Sequence, residues 1–64
     1  MKTETLRDSH GARIAEIEHH VGKQVLRNRD GRRLGEYIER DNVTRDASGS
    51  RVGTGNLLLT LLHP

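Results

Sequence analysis

Single aliphatic residues separated by polar and charged ones run through most of the chain, and a nearly continuous run of leucines, residues 57–62, follows them. Short-range alternation of this kind predicts half-buried β-strands. Thr60 is the only interruption of the leucine run. A run this short fits a helix or a buried strand, and we expect a helix over about residues 57–63, capped by Asn56. The strands are expected near residues 4–8, 12–18, 23–28, 32–39, 42–46 and 50–54.

An internal repeat organises the strand-forming part of the chain. Three segments align without gaps: LRDSHGARIAEI from Leu6, LRNRDGRRLGEY from Leu26 and TRDASGSRVGTG from Thr44. The shared pattern is [L/T]-R-[D/N]-x-x-G-x-R-[I/L/V]-[A/G], and fixed spacing of this kind indicates repeated structural units. We call these segments copies 1, 2 and 3.

The D/N-x-x-G element of each copy predicts a hairpin turn. Asp or Asn at its first position accepts hydrogen bonds from backbone N–H groups ahead of it, and Gly at its fourth supplies a positive φ. Gly11, Gly31 and Gly49 are therefore expected to be structural turn residues, in type I turns followed by a glycine bulge. The predicted hairpins span about residues 5–18, 25–38 and 43–54, and a leucine-rich element spans 56–63.

This turn predicts which residues face each other across each hairpin. The expected arginine pairs are Arg7 with Arg13, Arg27 with Arg33, and Arg45 with Arg51. The expected apolar pairs are Leu6 with Ile14, Leu26 with Leu34, and Thr44 with Val52. The apolar alternation breaks after Ile14 unless a β-bulge intervenes, and the small residues Ala15, Gly35 and Gly53 stand where a bulge is tolerated.

The segments RNRDGRRLGEY and TRDASGSRVGTG resemble the hairpins of small bacterial β-hairpin-repeat proteins of the β-flower type. More distantly, they resemble the YD repeats of Rhs-like shells. The resemblance implies an all-β hairpin array with no enzymatic activity and no catalytic residue.

The chain has little material for a core. Its 64 residues include fifteen Leu, Ile and Val, no Phe, no Trp and no Cys, and five of the eight leucines lie in the final run. Chains of this size bury only roughly 60% of the surface that they expose when unfolded. We therefore expect a homodimer whose interface includes Leu57, Leu58, Leu59, Leu61 and Leu62. The alternative is that the leucines pack against the hairpins of their own chain.

The six paired arginines form a candidate anion-binding face. Like charges directly opposite on a sheet are mildly destabilising, and guanidinium groups suit phosphate. The alternative is a solvated face neutralised by nearby carboxylates, which the net charge of only +2 favours. The densest basic segment, KQVLRNRDGRR, is the place where nucleic acid would bind, but single-strand binders usually interleave aromatic residues, and Tyr37 is the only one in the chain.

Other chemistry finds little support in the sequence. His10, His19 and His20 lack the four-ligand spacing of a structural zinc site, and nothing places Glu16 and Glu36 in a pocket as an acid and base pair. We expect no catalytic residue, metal or cofactor. The first residues contain no apolar signal region, and no apolar run reaches the ~20 residues that cross a bilayer. The sequence thus predicts a cytoplasmic, non-enzymatic structural or interaction module that self-associates, with anion or nucleic-acid binding as the alternative.

Overall fold

The structure is a computed structural model that describes residues 2–62. Its six antiparallel strands form one sheet in which every strand pairs with its neighbours in chain order. The strands are β1 (Lys2–Arg7), β2 (Arg13–His20), β3 (Lys23–Asn28), β4 (Arg33–Ile38), β5 (Val43–Asp46) and β6 (Arg51–Thr54). A 3₁₀ helix, Leu58–Leu61, ends the described part of the chain. The predicted mostly β fold is confirmed, and each strand boundary lies within two residues of its expected place.

The six strands are joined by two kinds of reversal. The three repeat turns join the two strands of each copy, and their glycines have φ values of 83° (Gly11), 87° (Gly31) and 91° (Gly49). A residue with a side chain rarely adopts this left-handed conformation, which explains why all three copies carry Gly at this position. The copies are joined by a tight turn at Val21 and Gly22 and by a longer one over residues 39–42.

Each repeat hairpin contains a β-bulge next to its turn. The arginine pairs face each other as expected, but the register shifts between Leu6 and Arg7, so that Leu6 faces Ala15. The expected pairing of Leu6 with Ile14 is therefore wrong, because Ile14 is the extra residue of the bulge. The same shift corrects the other two expected apolar pairs: Leu26 faces Gly35 rather than Leu34, and Thr44 faces Gly53 rather than Val52.

The sheet has one face covered by the leucine segment (residues 57–62), which we call the inner face. Ala15, Ile17, Leu26 and Leu58 form the buried cluster there. Leu6, Leu34, Tyr37, Leu61 and Leu62 pack against that cluster. The opposite, outer face carries most of the paired charges, and Val25 and Val43 are buried among them. The core is thus a single thin layer between the sheet and the leucine segment.

The C-terminal element is shorter than expected and is a 3₁₀ helix. It covers Leu58–Leu61, with Leu57 at its N-cap position. Asn56 lies one residue earlier, and its Oδ1 accepts a hydrogen bond from the Leu58 N–H at 3.2 Å. It therefore satisfies a free donor of the first turn, as expected, without occupying the cap position itself. Residue 63 of the predicted helix lies outside the described residues.

Candidate interaction surface

The three repeat turns use one set of hydrogen bonds. In copy 1 the Asp8 Oδ1 accepts from the backbone N–H groups of His10 and Ala12, at 2.9 and 3.0 Å. Asn28 and Asp46 make the corresponding bonds in copies 2 and 3. Each turn glycine also donates its N–H to the carbonyl of the same Asp or Asn. The D/N-x-x-G element therefore builds the same turn three times, because each copy supplies the same acceptor and glycine.

The first arginine of each copy binds its own turn. Nη1 of Arg7 donates to the Gly11 carbonyl at 2.8 Å. Arg27 donates in the same way to Gly31 at 3.1 Å, and Arg45 to Gly49 at 3.0 Å. A hydrogen bond from a charged donor is stronger than one between neutral groups. Each of these arginines therefore stabilises its turn through the carbonyl of the turn glycine.

The second arginine of each copy reaches the next copy where one follows. Nη2 of Arg13 donates to the carbonyl of Arg29, in the turn of copy 2, at 3.1 Å. Nη2 of Arg33 donates to the carbonyl of Ala47, the equivalent residue of copy 3, at 3.2 Å. We call these two bonds the arginine ladder. In copy 3, Nη2 of Arg51 instead donates to the hydroxyl of Thr54 at 3.0 Å.

Carboxylates pair with three arginines of the outer face, Arg13, Arg27 and Arg33. Glu16 pairs with Arg13, three residues before it, and Glu36 stands in the same relation to Arg33 at 3.7 Å. Glu36 also lies 3.6 Å from Nζ of Lys23. These glutamates place negative charges beside the positive ones. They therefore reduce the repulsion that a face carrying only arginines would have.

Glu18 lies beside two basic side chains of the sheet, His20 and Arg27. It lies 3.2 Å from Nε of Arg27 and 3.2 Å from Nε2 of His20. The hydrogen bond with His20, followed by that with Arg27, lowers the pKa of Glu18 below its ordinary value of 4.5. Hydrogen bonds to the charged form favour that form, so Glu18 stays ionised beside the arginine.

The structure places the predicted anion-binding residues Arg7, Arg13, Arg27, Arg33, Arg45 and Arg51 along the turn end of the sheet, in three facing pairs. All six bond to a backbone carbonyl, a carboxylate or a hydroxyl of their own chain. A phosphate group would have to compete with those bonds. Anion binding by this surface remains a prediction.

The leucine segment crosses the inner face of its own sheet. Leu58 is 1% exposed and belongs to the buried cluster, and Leu57, Leu61 and Leu62 are partly buried. Leu59 differs from them, since 62% of its surface is exposed. The segment therefore packs intramolecularly, as the alternative interpretation of the leucine run described. Whether the predicted interface at Leu57, Leu58, Leu59, Leu61 and Leu62 also forms between chains stays a prediction, with Leu59 its most accessible member.

Thr44 anchors this segment, a role that sequence reasoning missed. Its side chain is fully buried, its hydroxyl donates to the Gly55 carbonyl at 2.7 Å, and it accepts from the Leu57 N–H at 2.9 Å. Copies 1 and 2 have Leu6 and Leu26 at this position. The change from leucine to threonine in one copy of a repeat was the available signal, because a buried hydroxyl needs partners.

Small residues make room for the leucines on the inner face, a second role that the sequence did not reveal. A Cβ atom on Gly35 would collide with Cδ1 of Leu61 and come within 2.5 Å of the Arg45 carbonyl oxygen. A Cβ atom on Gly53 would lie 2.7 Å from Cδ1 of Leu57. Ala15, at the same repeat position, is fully buried. The small residues expected to tolerate a bulge therefore also set how closely the leucine segment approaches the sheet.

An open cleft of about 410 Å³ lies between the leucine segment and the β1 side of the inner face. Leu6, Ile17 and Leu58 form its apolar walls, with Glu4 and Gln24 also lining it. Nδ2 of Asn56 donates to Oε1 of Gln24 at 3.2 Å and ties the segment to β3. Among the described residues that line the cleft, Glu4 is the only ionisable one.

The two histidines of β2 each lie beside a carboxylate. Nε2 of His19 lies 3.3 Å from Glu4, and His20 lies beside Glu18. Within residues 2–62, no three His, Cys, Asp or Glu side chains are grouped so that they could hold a metal ion. Across the same residues, no helix has the length and apolar character needed to span a bilayer.

Comparison of the chain with protein-family models, with curated proteins and with solved structures gives no match.

Proposed function

We propose that this chain is a small structural module that works by associating with copies of itself, without catalysing a reaction. The arginine ladder carries this proposal, because it shows that the hairpin copies are joined by a repeated contact in addition to strand pairing. In repeat proteins each unit is stabilised chiefly by contacts with its neighbours, and such arrays serve as scaffolds and interaction surfaces.

The exposed parts of the sheet support self-association. β1 and β6 are its two edges, and the side chains of Lys2 to Thr5 on β1 are exposed. Unpaired edge strands offer backbone donors and acceptors to another chain. The thin core gives a second reason, because a chain with few buried aliphatic side chains gains stability from contact with a partner.

Sedimentation velocity tests the proposal. We expect the average mass to rise above that of one chain, 7.2 kDa, between about 10 µM and about 1 mM, the range in which weak association is populated. A mass of one chain throughout that range would overturn the proposal. If Leu59→Ala lowers the mass of the assembly, the exposed leucine contributes to the interface as the sequence predicted.

A nucleic-acid or anion binder is the alternative function, and the same samples test it. Phosphate-backbone binding weakens steeply with salt, so a labelled generic oligonucleotide should bind at low salt if the arginines are available. We expect no binding, since the six arginines already have partners within the chain. Salt-sensitive binding that Arg27→Ala weakens would favour the alternative.

A further inference from the structure

We propose that copies of this chain join head to tail, the outer edge of β6 in one copy pairing with the outer edge of β1 in the next. This inference rests on the proposed self-association and names the surface that performs it. The contact between chains would repeat the seams that already join copy 1 to copy 2 and copy 2 to copy 3 within the chain.

The two internal seams have the same register. Glu16 faces Arg27 across β2 and β3, and Glu36 faces Arg45 across β4 and β5. These pairs occupy equivalent positions of the repeat. Continued by one more step, the register places Thr54 opposite Arg7 of the second copy.

The arginine ladder could be extended at both ends, by the carbonyl of Ser9 in copy 1 and by the guanidinium of Arg51 in copy 3. Ser9 of copy 1 is equivalent to Arg29 and Ala47, whose carbonyls each accept from the arginine of the preceding copy. Among residues 2–62, no arginine donates to the Ser9 carbonyl. At the other end, Nη2 of Arg51 has no following turn to reach and binds Thr54. A head-to-tail contact would bring Arg51 to the Ser9 carbonyl of the second copy.

The backbone of both edges is available for this pairing. The Gly55 N–H donates to the Asn42 carbonyl at 2.7 Å, so the preceding N–H, that of Thr54, points away from β5. On β1, the Asp8 N–H donates across the hairpin to Ala12, so the N–H groups of Arg7 and Thr5 point outward by the same alternation.

The leucine segment leaves the outer edge of β6 uncovered. From Gly55 the chain turns back over β5, where Thr44 binds it, and continues to β3, where Asn56 meets Gln24. It therefore lies over the inner face, away from the side on which a second copy would pair. The pairing is heterologous, so each contact leaves one free edge at either end of the assembly.

Two proline variants test the inference. Thr54→Pro removes an outward N–H of β6, and Arg7→Pro removes the outward N–H of β1 that faces Thr54 in this register, in each case without removing a backbone hydrogen bond within the sheet. We expect each variant alone to associate about tenfold more weakly than the natural chain. A one-to-one mixture should recover a complex of two chains, because each variant retains the edge that the other has lost. Retained sheet content by circular dichroism checks that both variants fold.

A side-chain variant keeps the test independent of proline. Arg51→Ala removes the free end of the ladder and should weaken association about tenfold. Its matched control is Arg33→Ala, which removes an internal ladder bond at the same repeat position and should leave the association constant unchanged.

The outcomes separate the two proposals. If the natural chain associates but the proline variants and Arg51→Ala associate equally well, the edge pairing is wrong and self-association stands. If the two proline variants fail to form a complex when mixed, the pairing is not head to tail. If the natural chain stays at the mass of one chain up to about 1 mM, both the proposed function and this inference are overturned.

Discussion

Copies 2 and 3 form the same turn but lead to different continuations. Copy 2 begins with Leu26, in the buried cluster, and ends with Tyr37, after which the chain enters another hairpin. Copy 3 begins with Thr44 and ends with Gly55, whose φ is 90°, after which the chain leaves the sheet. The turn residues alone therefore do not decide whether the array continues. The residues at the two ends of the copy decide it.

Copy 3 ends the array by directing the chain over the inner face. A repeat array exposes an apolar face that must be covered, and terminal units of repeat proteins depart from the common pattern for that reason. Here the hydroxyl of Thr44 holds the chain as it turns over the inner face. The leucines that follow then cover the cluster built by the first two copies.

The largest expected loss of stability comes from truncating Leu58, the buried leucine of the segment that follows copy 3. Leu58→Ala should destabilise the chain by about 2–5 kcal/mol, because it leaves a cavity in a thin core. Urea unfolding measures this change. Leu59→Ala is the matched control and should change the free energy of unfolding of the single chain by less than about 0.5 kcal/mol, since its side chain is mostly exposed. Equal effects of the two variants would show that the segment does not pack as described.

A smaller effect is expected at the anchor of the segment. Thr44→Val retains the shape of the side chain but leaves the Gly55 carbonyl and the Leu57 N–H without its hydroxyl. We expect a loss of about 2 kcal/mol, as for buried groups deprived of a partner. Thr3→Val, at an exposed position of β1, is the control and should be nearly neutral. If Thr44→Val were as stable as the natural chain, the exit of copy 3 would not depend on this hydroxyl.

The sequence predicted the repeated part of the molecule and not the part that occurs once. Asp8, Asn28 and Asp46 precede their glycines at a fixed spacing, and local turn chemistry was enough to predict three hairpins and the facing arginines. The bulge at Ile14, which recurs in all three copies, changed the apolar pairing, because the turn pattern did not specify where the extra residue would lie. The inner-face contact of Leu61 with Gly35 joins residues far apart in sequence, and no local pattern reports such a contact.

The two glycines under the leucine segment should differ in their tolerance of a methyl group. Gly35→Ala should destabilise the chain by about 1–2 kcal/mol, since the new Cβ meets the backbone carbonyl of Arg45 as well as Leu61. Gly53→Ala meets only the end of the Leu57 side chain, which can rotate away, so its cost should stay below about 1 kcal/mol. Thermal unfolding of both variants measures the difference. A larger loss for Gly53→Ala would mean that Leu57 is held more rigidly than Leu61.

The smallest expected effect is on the pH dependence of stability. It distinguishes the turns of copies 2 and 3, which have the same backbone hydrogen bonds but differ in charge. In copy 3 the Asp46 carboxylate accepts from the Ser48 hydroxyl at 2.6 Å and from the Ser50 N–H at 3.0 Å. These bonds, that of the Ser48 hydroxyl first, lower the pKa of Asp46 below its ordinary value of 3.8. In copy 2 the neutral Asn28 makes the equivalent backbone bonds without titrating.

Because the folded chain holds this pKa below the unfolded value, the stabilisation from Asp46 is present above pH 3.8 and is lost as the pH falls through the lowered pKa. Asp46→Asn keeps the acceptor oxygen, so its stability should fall less steeply with acid than that of the natural chain. The stability of Asn28→Asp should fall more steeply with acid than that of the natural chain. Urea unfolding at a series of pH values from about 2 to about 6 measures the three slopes. Parallel curves for the three proteins would show that the charge of the turn residue contributes nothing, and that Asp and Asn serve the repeat only through the oxygen they share.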